Sequence, residues 1–467
     1  MRPETKAYHF DWMLWRSFDG AEKMMSGTPK EIERALEYMP HFRRGMEAFL
    51  RHGSAGRHLL TMMRAYFENI LTARDRGKKL VATTFCFSPA ILYAMDVVPV
   101  CLEVLTTAAS MTWKRGAADY LDYCVEVGFT ETSCSAQRGA LGAILAGLAE
   151  EIDFIVCDSG GVCDTNANAF AFASAYLDKP FYQLNYPPTL TDERARTYHR
   201  QDYRALIEFI ESQTGRPLDP DRLRRTIEEI GRQDELLAEI EELQRLAPNP
   251  VPGIYNMFIY SGRFMFDGQP VYTRALECML DHVSENARLG RSGLHSGEER
   301  ARAFFCYIDH YTTDMRLWDW LDDRGVSHLG GILSRFYSDA APFVRGIEES
   351  AYRLDTTGLD EMIDAMAALN SRMPMVRSIR GPYDAPYMWL DDTLGLARMY
   401  RADCIVYNGT PGCRNTWGMV RPFARDTEKH GFPTHIMNAD AFDDRVESWE
   451  SASDRLEEFF NVRRLLA

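Results

Sequence analysis

The chain has 467 residues, 46% of them hydrophobic, with 53 lysines and arginines against 68 aspartates and glutamates. That length supports two or three separate cores, and a formal charge of −15 argues against a nucleic-acid or anionic-membrane binder while leaving room for a local basic pocket. No apolar run approaches the roughly 18–20 residues that span a bilayer. The opening MRPETKAYHFDWMLW lacks the basic-then-apolar order of a secretory leader, so a cytoplasmic protein is expected.

Residues 1–78 read as helical, with apolar positions at helical spacing in MEAFLRHG and HLLTMMRAYFENILTARDRG. From Lys79 short β-forming runs begin. KKLVATTFCF, the second half of SPAILYAMDVVPVCLEV, EEIDFIVCDSG and KPFYQLNYP are predicted strands, with TNANAFAFASAYL as a helix between the last two. This alternation predicts a parallel sheet covered on both faces. Residues 201–247 are charged and helical, and PNPVPG at 248–253 is a linker signal. A second strand–helix series starts at GEERARAFFCYIDH and runs through GVSHLGGIL, ADCIVYNG and FPTHIMNAD. The expected organisation is an N-terminal helical segment over 1–78 and a first α/β lobe with helical extension over 79–250. A helical connector over 251–296 and a second α/β lobe over 297–467 follow. The sequence shows no internal repeat.

Several chemistries lack their motifs. GxxxxGK[ST], a strand-linked GxGxxG, HExxH and GxSxG are all missing, which removes a P-loop, a dinucleotide fold, a zincin and a hydrolase elbow. His430 and His435 have no companions for a zinc site.

Ten cysteines without a single CxxC fit neither a zinc ribbon nor, in a cytosolic chain, a disulfide framework. Three share a context. Cys134 precedes the Ala/Gly/Leu-rich run SAQRGALGAILAG, Cys163 follows a strand and the pair Gly160–Gly161, and Cys413 follows a strand and the loop GTPG. Each is predicted in a strand-to-helix loop at a helix N-terminus, where backbone N–H groups and the helix dipole lower a thiol's pKa. Such loops converge beyond the carboxyl ends of the strands of an open sheet. Three thiolates there suit a [4Fe–4S] cluster with one iron left open, and glycines let the backbone approach a bulky inorganic group. Three ordinary loop cysteines are the alternative.

The stretches RGKKLVATTFCFSP, YCVEVGFTETSCSAQR, EIDFIVCDSGGVCD with KPFYQLNYP, DCIVYNGTPGCRNTWGMVRPFARDTEKHGFPTHIMNADAFDDR and SASDRLEEFF carry a resemblance. In that order the chain resembles the cluster-carrying, larger-type subunits of the 2-hydroxyacyl-CoA dehydratases and ATP-dependent benzoyl-CoA reductases. The resemblance implies two flavodoxin-like lobes and a [4Fe–4S] cluster on Cys134, Cys163 and Cys413. It also implies a related cluster-carrying subunit (or a second copy) as partner, a separate ATP-hydrolysing iron–sulfur activator, and a CoA thioester substrate.

Dehydratases of the family usually carry an acidic residue shortly after the first strand. Here SPAILYAMD has Ala90 and Ile91 instead. A dehydratase needs a general base, so the expectation leans to electron transfer onto an aromatic or unsaturated acyl-CoA, with radical dehydration of a 2-hydroxyacyl-CoA as the alternative. No catalytic residue is assigned. Arg138 matches a basic position in relatives, against a helix-surface charge as the plain reading. Cys124, Cys157 and Cys404, lying six to ten residues before the trio, are less favoured as ligands of a double-cubane cluster, and Cys86, Cys101, Cys278 and Cys306 read as core. The aromatic stretches DMRLWDWLDD and PYMWLDD are candidate pocket walls. A non-catalytic electron-relay subunit and a cluster-free binding protein are the rival classes.

Overall fold

Two four-stranded parallel sheets organise the chain in the computed structural model, which describes residues 9–38, 42–113, 115–158, 163–186, 192–307, 315–334, 354–376, 387–410 and 412–466. The first sheet holds β1 (Leu80–Thr83), β2 (Val98–Cys101), β3 (Phe154–Asp158) and β4 (Phe181–Leu184) in the order β2-β1-β3-β4. The second holds β5 (Ala301–Tyr307), β6 (Val326–Gly331), β7 (Cys404–Asn408) and β8 (Thr434–Met437) in the order β6-β5-β7-β8. The two orders are the same topology, so the chain repeats an architecture that its sequence does not. The fold is α/β with two lobes, as the strand–helix alternation predicts, and their strand order is flavodoxin-like, as the resemblance implies.

The apolar runs become strands because helices cover both faces. β1, β2, β3, β5, β6 and β7 are buried at every residue, and only the edge strands β4 and β8 are partly exposed. The N-terminal segment forms the helices Phe10–Met24, Pro29–Tyr38, Arg43–Arg51 and Gly53–Thr72. Phe18 and Phe67 stack with centroids 5.8 Å apart, and the Tyr66 hydroxyl accepts the Cys101 amide at 2.7 Å, which ties these helices to the end of β2. PNPVPG is not a loose tether: Asn249, Pro250, Val251 and Pro252 are buried, and Asn249 Nδ2 donates to the His328 carbonyl at 3.3 Å. Beyond it the helices Gly253–Phe266 and Pro270–Arg288 precede β5. No helix among the described residues is long and apolar enough to cross a membrane.

In each sheet the chain leaves the first strand toward one edge and returns to build the other. That topological switch falls between β1 and β3, and between β5 and β7. Ligands of such sheets bind in the crevice outside the strand ends at that point.

Candidate functional site

The three cysteines occupy matching local positions. Cys134, Cys163 and Cys413 are the N-cap residues of the helices Ser135–Leu145, Asp164–Leu177 and Arg414–Lys429, and all three are partly exposed. Cys163 follows β3 and Cys413 follows β7, so these two stand at equivalent switch points of the two lobes. Cys134 departs from expectation, because it follows the helix Ala118–Glu126 and not a strand. The buried Leu121 and Cys124 of that segment are three apart, a helical spacing that outweighs the β-forming residues of CVEVGF. Gly160 and Gly161 lie outside the described residues.

Small residues set the Cys134 helix in place. All of Ser135–Leu145 is buried, and a Cβ on Gly142 would stand 2.0 Å from the Tyr120 carbonyl oxygen. One on Gly139 would stand 2.6 Å from Thr106 Cγ2. Glycine therefore lets this helix cross its neighbours at backbone contact. Arg138 is no surface charge: it is buried, and its Nε donates to the Ser133 carbonyl at 3.0 Å, bracing the loop that ends at Cys134.

The lobes meet at these loops. A Cβ on Gly412 would lie 3.2 Å from the Ser133 carbonyl oxygen and 3.3 Å from Cys134 Cα, so the Cys413 loop rests on the Cys134 loop. Ser135 Oγ donates to the Asp440 carboxylate across the same seam, and the Tyr307 hydroxyl lies 3.2 Å from Cys413 Sγ. Burial pushes the Cys134 thiol up, with Asp440 and Cys413 adding to it, and it pushes the Cys163 thiol up with help from Cys413 and Cys134. The Ala136 and Asn166 amides pull the other way and lose. The expected thiolate stabilisation by the helix ends is thus overridden by desolvation, and without a metal's positive charge these two sulfurs keep their protons.

Among the described residues no three His, Cys, Asp or Glu side chains converge about a single metal ion. A cubane spreads its ligand sulfurs over its corners, and three separate loops each presenting a reachable N-cap thiol fit that wider figure. The seven other cysteines are buried; Cys157 Sγ contacts the Asp158 carbonyl at 3.2 Å, and Asn166 Nδ2 donates to Cys86 Sγ at 3.3 Å.

Beside the thiols lies a cleft of about 770 Å³, counting its open mouth, walled by Phe85, Ala136, Met257, Tyr260, Phe264 and Tyr307 with Glu103 and His328 among its polar groups. Ala136 is two residues from Cys134. No described residue of DMRLWDWLDD or PYMWLDD lines this cleft; Trp318 packs by His328 at 5.1 Å, and Trp389 stands behind Tyr307 at 5.7 Å.

Glu103 was missed in the sequence. It begins the helix after β2 and turns its carboxylate to the end of β1, accepting the Thr84 hydroxyl at 2.9 Å, the Phe85 amide at 3.3 Å, Gln137 Nε2 at 3.4 Å and the Cys101 thiol at 3.2 Å. It is 4% exposed, and burial pushes it up to about 7 despite those donors. Asp158, at the end of β3, is pushed up to about 7 by the same cause. Asn166 Nδ2 lies 2.8 Å from Thr84 Oγ1 and 3.4 Å from Asp158 Oδ2, which links the two carboxyls by hydrogen bonds. The signal for Glu103 was a lone acid inside the apolar run VVPVCLEVL. Ala90 and Ile91, where an acid was sought, are buried core.

A family model described as 2-hydroxyglutaryl-CoA dehydratase, D-component, matches residues 84–462. The chain is also similar to the lactoyl-CoA dehydratase subunit alpha of Anaerotignum propionicum, with 21% identity over 410 residues covering 82% of this chain and 91% of that protein.

Proposed function

The chain belongs to the 2-hydroxyglutaryl-CoA dehydratase D-component family, and from that premise we propose that it is the cluster-carrying subunit of an ATP-activated 2-hydroxyacyl-CoA dehydratase, a lyase. The relative's designation as a subunit alpha supports a partner subunit, and the absence of an ATP motif in the sequence fits a separate activator. The reductase reading rested on the missing acid after β1; Glu103 supplies a carboxylate at that strand end from the helix after β2 and removes the reason for it.

Glu103 in the cleft wall carries the proposal. A [4Fe–4S] group on Cys134, Cys163 and Cys413 would supply a one-electron donor of very low potential, near the roughly −700 mV limit of protein clusters. The rest falls to the chain itself. Phe85, Met257, Tyr260 and Phe264 hold an apolar acyl group and exclude water from a reactive radical. Glu103, raised to about 7 by burial, takes a proton from C3 of the acyl chain as the hydroxyl leaves C2, and that proton departs with the hydroxide as water.

Anaerobically purified protein, supplied with its partner, an activator, ATP and a 2-hydroxyacyl-CoA, is expected to form the enoyl-CoA without net reduction. A reduced acyl-CoA product, or turnover of an aromatic acyl-CoA alone, overturns the reading in favour of the reductase.

A further inference from the structure

Tyr307 borders both halves of the site. It ends β5, its ring walls the cleft, and its hydroxyl lies 3.2 Å from Cys413 Sγ. Its φ is +77°, the left-handed region that a residue with a Cβ occupies only where its surroundings over-determine it. The ring packs 5.7 Å from Trp389, which in turn lies 6.4 Å from Tyr407, so the side chain is fixed from behind. The corresponding turn of the first lobe, Thr83 to Ser88, has no residue with positive φ. The conformation is therefore particular to this residue and is not required by the topology.

We propose that Tyr307 is a positioning residue that donates its phenol O–H to the Cys413 sulfur and so raises the reduction potential of the iron–sulfur group held there, while its ring separates that group from the acyl end of the substrate. The proposal rests on the reading that Cys134, Cys163 and Cys413 bind the cluster. A hydrogen bond to a ligand sulfur withdraws charge and favours the reduced state. The same contact fixes the orientation of the Cys413 sulfur.

Tyr307→Phe keeps the ring and deletes the donor. The holoprotein and this variant, prepared without oxygen, are to be compared for iron and acid-labile sulfide and by a redox titration followed by electron paramagnetic resonance. The expected result is equal iron and a fall in midpoint potential of about 59 mV, which is tenfold in the reduced-to-oxidised ratio for one electron. Equal iron with an unchanged potential overturns the role of Tyr307 and leaves the ligand reading intact. A wild-type protein without iron overturns the ligand reading and Tyr307 with it. Should the variant not load, resonance Raman spectra of the wild-type protein in water and deuterium oxide decide: a shift of iron–thiolate stretching on deuteration supports the bond, and no shift overturns it.

Discussion

Replacing Glu103 by Gln removes a charge without removing volume, and the consequence for stability can be worked out. The carboxyl's ordinary value is 4.5 and burial lifts it to about 7. Between these values the folded chain holds a proton that the unfolded chain has released, so stability falls as pH rises through this window and levels off above it. At roughly 1.4 kcal/mol per pH unit the whole effect is about 3 kcal/mol. The glutamine keeps an acceptor for the Phe85 amide, while its NH₂ replaces the acceptor of the Thr84 hydroxyl, which already accepts from Asn166, so that contact is lost as a cost independent of pH. Gln137 can turn its otherwise unpartnered Oε1 toward that NH₂. Urea unfolding of wild type and variant from pH 4.5 to 8.5 isolates the term, because Asp158 and Asp267 titrate in both. The variant is expected to gain about 3 kcal/mol on the wild type between pH 4.5 and 7, and no more beyond. A difference that stays flat over that range refutes the claim that burial neutralises Glu103. On the proposed function the same variant lowers kcat by about 10²- to 10⁴-fold, the usual worth of a general base.

Cys134→Ser, Cys163→Ser and Cys413→Ser should each lose most of the iron while Cys404→Ser, buried at the first position of β7, retains it; iron analysis under argon decides. Because the Cys134 and Cys163 thiols are raised, reconstitution with iron and sulfide should proceed further at pH 8.5 than at pH 6.5, read from cluster absorbance. Gly142→Ala places a methyl 2.0 Å from the Tyr120 carbonyl oxygen and should cost about 3 kcal/mol, the upper end for overpacking, measured by denaturant unfolding.

The strands were legible because buried parallel strands are written as continuous apolar runs, and IDFIVC and ADCIVY could hardly be anything else. The thiols at Cys163 and Cys413 were legible for the same reason, since a strand, a glycine loop and a helix form one local unit. Cys134 misled because its approach is built from β-forming residues whose helical state depends on packing against a neighbouring helix. Its chemistry misled too: the helix dipole is a local property that sequence reveals, whereas desolvation by two lobes closing together is not. Glu103 was hidden for a related reason. Its position in an apolar run is visible, but its meeting with Thr84 and Phe85 across a strand pairing is a property of the fold. Arg138 stood open in the sequence between a matched basic position and a surface charge, and burial of the helix that carries it makes it a brace.

The proposed ligands are divided unequally, two in the first lobe and one in the second. Neither lobe alone owns a complete set. A chain emerging from the ribosome would thus pass residue 300 with two thiols waiting and no means of keeping a cluster until the loop after β7 has been made and has settled against Ser133 and Cys134. On the proposed assignment, metal insertion would be one of the last events in maturation, and a finished cluster would record that both halves have closed. Gentle loosening of that closure should release iron before either sheet melts.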